Sequence, residues 1–176
     1  MPAFSMLISD EYKKQIRQLH TANGVWGNGP RGHILRISRW IYDSKITELL
    51  DYGCGKGKNI PHMLPISIIN YDPGVPQWEN DPKVCEHLMC MDVLEHIEPE
   101  LIDDVLAHIA SKFTQEALMS ISLVEAKDYL PDGRNAHILL HPVAWWIEKL
   151  EEYFELRSIE FKSNCILTFV GVKNVR

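Results

Sequence analysis

The sequence has no run of apolar residues approaching the roughly 20 that a bilayer-crossing helix needs, and it has no excess of positive charge. Its 18 Lys and Arg stand against 24 Asp and Glu, a net charge of −6. The first absence tells against a helical membrane span. The second disfavours nucleic acid or an anionic membrane surface as the main partner, although a local basic groove is compatible with it. Cysteine is sparse as well: Cys54, Cys85, Cys90 and Cys165 form no C-x-x-C pair, so no structural zinc and a reducing compartment are expected. The opening residues Met1-Pro2-Ala3-Phe4-Ser5 lack the charged-then-apolar pattern of a signal peptide, so a cytoplasmic location is expected. There are no internal repeats and no low-complexity segments.

What is present is enough for one core: 176 residues, of which 45% are hydrophobic, fit a single domain. Residues 1–44 read as two N-terminal helices and a Gly-rich lid loop belonging to the same domain as a core at 45–176. Tyr12, Ile16 and Leu19 follow Ser9 and Asp10 at helical spacing, which predicts a helix over Asp10 to His20. Thr21 to Gly32 breaks it with four glycines and carries Trp26, a composition suited to a loop over a ligand. His33 to Tyr42 predicts a second amphipathic helix. Buried strands are predicted at Ile46–Tyr52, Ile66–Tyr71, Glu86–Asp92 and Ala117–Val124, with helices at Pro99–Phe113 and Pro142–Phe154. Glu155–Phe161 and Cys165–Val172 read as a closing hairpin. Apolar strands alternating with helices imply an α/β fold, with a mostly parallel sheet covered on both faces and an antiparallel C-terminal pair.

The chemistry concentrates at the strand ends, where such folds bind ligands. Gly53, Gly55 and Gly57 follow the first strand directly and let main-chain N–H groups approach a ligand. A dinucleotide fingerprint needs glycine at position 58, where this chain has Lys58, which counts against a nicotinamide dehydrogenase. Asp51, two residues before the first glycine, suits the ammonium group of a methionine-like ligand. Asp72 ends the second strand, where a carboxylate accepts from ribose hydroxyls.

Through Leu49-Leu50-Asp51-Tyr52-Gly53-Cys54-Gly55-Lys56-Gly57, Tyr71-Asp72-Pro73 and Met91-Asp92-Val93-Leu94-Glu95-His96-Ile97, the sequence resembles the class I S-adenosylmethionine-dependent methyltransferases. Asn135-Ala136-His137 and Trp145-Trp146 make it similar to compact members found in bacteriophage and bacterial genomes. The resemblance implies a Rossmann-like methyltransferase domain with S-adenosylmethionine as cofactor. It implies binding by Asp51, Gly53, Cys54, Gly55, Gly57, Asp72, Pro73, Met91 and Asp92. The family places a helix and a third strand between the second and fourth. Here that interval is Pro73 to Cys85, so the third-strand region is expected to be shortened, and Val75, Gln77 or Trp78 to replace the usual adenine contact.

Methyl transfer from a sulfonium is an in-line displacement that relies on positioning, with a base needed when the acceptor carries a proton. His96 and His137 are the catalytic candidates, followed by His141; a structural or capping role is the rival reading of His96. No metal ligand set is assigned, but Asp92, Glu95, His96 and His137 offer carboxylate and imidazole groups that together suit a divalent ion binding the acceptor's oxygens. One of Trp145 and Trp146 is expected in the core, the other at the acceptor pocket or a dimer contact, a homodimer being compatible with the sequence. His20 and Trp26 are candidates to close over the cofactor.

The acidic charge and the absence of a target-recognition domain favour a small-molecule or metabolite acceptor. The alternatives are methylation of nucleic acid or protein, with Arg31, Arg36, Arg39, Lys56 and Lys58 as a basic edge, and a non-catalytic module that binds the cofactor. Asp92-Val93-Leu94-Glu95 stands where amino-methylating DNA enzymes carry an Asn/Asp-Pro-Pro-aromatic motif, which lowers DNA base methylation.

Overall fold

The computed structural model describes residues 6–22, 33–57, 66–162 and 164–172. The predicted lid loop, with Trp26, lies outside the described residues apart from its first two positions. Helices α1 (Asp10–Ala22) and α2 (Ile34–Asp43) precede strands β1 (Glu48–Tyr52), β2 (Ser67–Tyr71) and β3 (Cys85–Met91). Helix α3 (Ile102–Ser111), strand β4 (Phe113–Ser122), helix α4 (Val143–Tyr153) and strands β5 (Phe154–Lys162) and β6 (Cys165–Val172) complete the chain. The six strands form one sheet in the order β2-β1-β3-β4-β6-β5. The first four are mutually parallel, while β6 runs antiparallel to both β4 and β5.

Strand alternation distributes β1 between two cores. Leu50 and Tyr52 join Leu88, Cys90, Leu106, Ile109, Trp146 and Leu150 under α3 and α4. Leu49 faces the other way and packs with Ile37, Trp40 and Ile41 of α2 and with Met89 and Met91 of β3. Covering both faces is what allows a parallel sheet to consist of nearly continuous apolar runs. No helix among the described residues is long and apolar enough to cross a membrane.

Two boundaries differ from the sequence reading by three residues or more at the start of an element. Strand β4 begins at Phe113, opposite Cys85, four positions before Ala117, because Thr114 and Gln115 are exposed on a part of the strand that carries no apolar run. The predicted helix from Pro99 divides into a 3-10 turn, Pro99–Leu101, and α3. Between β2 and β3 the chain forms no described strand but a series of turns, with Val75 N–H donating to Asp72 O, Trp78 N–H to Val75 O, and Asp72 N–H back to Trp78 O. This segment is pinned to α3 and its end, where Asp81 takes Lys112 Nζ at 2.7 Å and lies 2.8 Å from His108 Nε2. His108 Nδ1 in turn meets the Tyr52 hydroxyl at 2.8 Å. The shortening expected after Asp72 is therefore real, and a polar chain from Tyr52 to Asp81 anchors the replacement.

Helix α1 is fastened from a distance. Ser9 caps it, its Oγ accepting Tyr12 N–H, and Ser9 donates its own N–H and O–H to the two oxygens of buried Glu98, at 2.8 and 2.6 Å. The Tyr12 hydroxyl donates to His96 O at 2.7 Å.

Replacing Glu98 with Ala leaves Ser9 without its acceptor and is expected to cost about 2 kcal/mol, lowering Tm by roughly 4–8 °C in a chain of this size. An unchanged melt would show that the clamp is not stabilising. At Gly53, φ is +74° and an added Cβ would lie 2.4 Å from Val93 Cγ2. Gly53→Ala should therefore cost about 2–5 kcal/mol from backbone strain and overpacking combined. Adding Val93→Ala should recover part of this, with a coupling of about 1 kcal/mol or more in urea unfolding; strictly additive losses would sink the steric account.

Candidate functional site

The turn after β1 is built by glycine stereochemistry and fixed by β2. Gly53, Gly55 and Gly57 all have positive φ, at 74°, 55° and 67°, a region that costs an L side chain about 1–2 kcal/mol. Gly53 and Cys54 donate their N–H groups to Tyr71 O at 2.7 and 3.1 Å. The Asp72 carboxylate accepts Gly55 N–H at 2.9 Å and Gly74 N–H at 2.8 Å. Burial raises the Asp72 pKa, opposed by those two N–H donors and by His20. Asp51 is buried beneath the turn. Burial also raises the Cys54 thiol, with Asp51 adding to the effect, so Cys54 is a wall and not a nucleophile.

The turn opens onto a cavity of about 320 Å³, within the usual range of small-molecule sites. Gly53, Cys54, Gly55, Asp72, Pro73, Met91 and Asp92 all line it, together with Val93 and His96. Tyr12, Ile16 and His20 of α1 form its roof. His20 has a buried Nδ1 with no partner among the described residues, and burial lowers its pKa while Asp72 opposes the shift. Val75, Gln77 and Trp78 do not line the described cavity, and Trp78 packs instead against the position where a Gly57 Cβ would stand.

At the end of β3 the chain turns through Asp92, a non-glycine residue at φ +56°. Ser120 holds it there: Ser120 O and Oγ accept Asp92 N–H at 3.1 and 2.9 Å, and Ser120 O–H donates to Asp92 Oδ1 at 2.6 Å. Backbone strain held by its surroundings is characteristic of ligand sites. One turn later, Glu95 is fully buried. Its Oε1 accepts Ser122 N–H at 2.9 Å, its Oε2 has no partner among the described residues, and its backbone oxygen accepts Leu139 N–H. Burial, reinforced by the charge of Asp92, raises its pKa to about 8.

The Leu139 contact brings the segment after β4 against this turn, and with it His137. The rings of His96 and His137 lie 4.7 Å apart, edge to face. Each ring places Nδ1 against a backbone carbonyl: His96 at 2.7 Å from Ala136 O, His137 at 2.5 Å from Val124 O. Burial and neighbouring His137 push the His96 pKa down to about 4. At neutral pH this ring is uncharged and weakly basic, poorly matched to removing a proton.

The structure thus gathers the two catalytic candidates at one place, adjoining Glu95. Asp92, which also lines the cavity, takes Ser120 O–H on its Oδ1. His141 is not on a helix with His137; it stacks on Trp145 with ring centroids 3.8 Å apart. Trp146 is the core tryptophan and Trp145 the half-buried one. Of the proposed basic edge, Arg36 pairs with Glu160 and Arg39 with Asp43, while Arg31 and Lys58 lie outside the described residues. Sequence reasoning missed Tyr12, Glu98, Ser120 and Ser122. Only the serines carried a signal, being hydroxyls at alternate positions of an apolar strand.

No known family model and no curated protein sequence matches this chain. Solved structures do resemble it. The 1,6-didemethyltoxoflavin-N1-methyltransferase of Burkholderia thailandensis, with 1,6-didemethyltoxoflavin and S-adenosylhomocysteine bound, superposes with a TM-score of 0.69 at 15% identity, covering 98% of this chain and 94% of that one. The magnesium protoporphyrin IX methyltransferase of Synechocystis, with S-adenosylmethionine bound, gives 0.67 at 15% identity, covering 97% and 100%. The N-methyltransferase NodS of Bradyrhizobium japonicum, in complex with S-adenosylhomocysteine, gives 0.66 at 13% identity, covering 94% and 100%. With its sheet order, its glycine turn and its antiparallel C-terminal strands, the chain has the Rossmann-like fold of the class I S-adenosylmethionine-dependent methyltransferases.

Proposed function

We propose that this protein binds S-adenosylmethionine and transfers its methyl group to a small-molecule acceptor. The observation that carries the proposal is the cavity in which the glycine turn, Asp72 and the β3 end meet: seven of the nine expected cofactor residues form its wall. The fit is chemical as well as spatial. A Cβ at Gly53 would collide with Val93, so this stretch of wall is bare backbone. The Asp72 carboxylate retains acceptor capacity beyond its two backbone donors and suits ribose hydroxyls. Asp51, at the end of β1, is buried.

S-adenosylmethionine supplies an electrophilic methyl group on a sulfonium. The chain's residues supply position and seclusion: Tyr12, Ile16 and His20 roof the cavity, Met91 and Val93 provide apolar walls, and His96 with His137 stands at its acceptor end. The small-molecule reading is supported by the size of the cavity, the net charge of −6 and the pairing of Arg36 and Arg39 with acidic side chains. It is also supported by the 1,6-didemethyltoxoflavin and magnesium protoporphyrin IX for which the two structural neighbours are named.

Calorimetric titration with S-adenosylhomocysteine should show one saturable site, weakened roughly ten- to hundredfold by Asp72→Ala through loss of charge-assisted hydrogen bonds. Wild-type affinity in that variant, or no heat with the wild type, would refute the assignment. Isotope-labelled cofactor incubated with fractionated extract should then label the small-molecule fraction. Label confined to nucleic acid or protein would select a macromolecular acceptor, and binding without turnover would select the non-catalytic module.

A further inference from the structure

Beside the cavity, three side chains from two distant stretches converge. Glu95, His96 and His137 each offer one ligand atom within 4.8 Å of the others. Ligand atoms bound at about 2.1 Å to a common tetrahedral ion lie about 3.4 Å from one another, so closing on an ion needs a movement of at most about 1.4 Å. Two histidines and one carboxylate are a ligand set suited to divalent first-row metals.

Two further observations point to a ligand. Glu95 is fully buried, and one of its oxygens has no hydrogen-bond partner among the described residues. A buried carboxylate oxygen without a partner is costly, and a cation is a group that offsets that cost. Both imidazoles are also oriented in the same way. A carbonyl oxygen only accepts, so His96 donates Nδ1–H to Ala136 O and His137 donates Nδ1–H to Val124 O. In the neutral rings the lone pair then resides on Nε2, the tautomer that such a hydrogen bond selects in metal-binding histidines. Asp92 is absent from the set, because its carboxylate is engaged by Ser120.

We infer that Glu95, His96 and His137 form a divalent-metal site at the acceptor end of the cavity, for an acceptor that presents an oxygen donor. An ion held by three protein groups keeps open positions, and His96 is itself part of the cavity wall, so those positions border the space assigned to the acceptor. The acceptor's place rests on the proposed methyl transfer; the metal site itself does not.

The test uses chelator-stripped full-length protein titrated with cobalt(II) chloride and followed by visible absorption, with zinc(II) calorimetry alongside. One equivalent should bind saturably. His137→Ala, a change at a half-buried position, should weaken cobalt at least about tenfold while thermal melting shows the fold intact. Glu95→Gln, which keeps shape but removes charge, should do the same. No saturable cobalt or zinc binding by the wild type, or wild-type affinity in both variants, overturns the site. S-adenosylhomocysteine titration of the same wild-type sample separates the two readings: its binding without metal sinks only the metal site, whereas metal binding without it sinks only the cofactor assignment.

Discussion

The structure turns on the hydrogen bonding between the end of β2 and the turn after β1. Tyr71 O receives Gly53 and Cys54, and the Asp72 carboxylate receives Gly55 and Gly74. These bonds require the turn to adopt positive φ, and that requirement selects glycine at 53, 55 and 57. The same geometry leaves bare backbone facing the cavity, and the carboxylate that fixes the turn is also a wall of that cavity. Folding and the proposed ligand recognition therefore draw on one set of atoms, which would tie each substitution there to both stability and binding.

A second carboxylate organises the opposite end. Glu95 joins the end of β3 to Ser122 on β4 and, through its backbone oxygen, to Leu139 beyond it. A carboxyl group so deeply buried is costly and does not by itself indicate stability. Its surroundings give it meaning: two imidazoles held by backbone carbonyls, one of them, His96, on the wall of the cavity that the glycine turn also lines.

Much of this was legible in the sequence for identifiable reasons. The strands at 48–52 and 85–91 are nearly all apolar because both faces of the sheet are covered, and Gly53 announces itself because no other residue accepts that backbone beside Val93. Asp72 was placed by its position at a strand end. What sequence could not show were polar pairings between distant stretches. Ser9 and Glu98 are 89 residues apart, His108 and Asp81 are 27 apart, and His137 reaches His96 across a loop. Such pairings leave no periodicity, and the three exposed or half-exposed residues that follow Phe113 in β4 gave none either.

The series of turns that stands in place of a third strand has a consequence for how molecules of this protein meet. Among the described residues the sheet ends at β2, and an open edge invites strand addition from another chain. Here that edge is five residues long, about 17 Å of backbone. The opposite edge, β5, is longer, but its register shifts between Leu156 and Ser158, and it exposes Glu155, Arg157, Glu160 and Lys162. Brevity protects one border of the sheet, and charge with irregularity protects the other. Growth of this sheet into a filament is disfavoured at both ends.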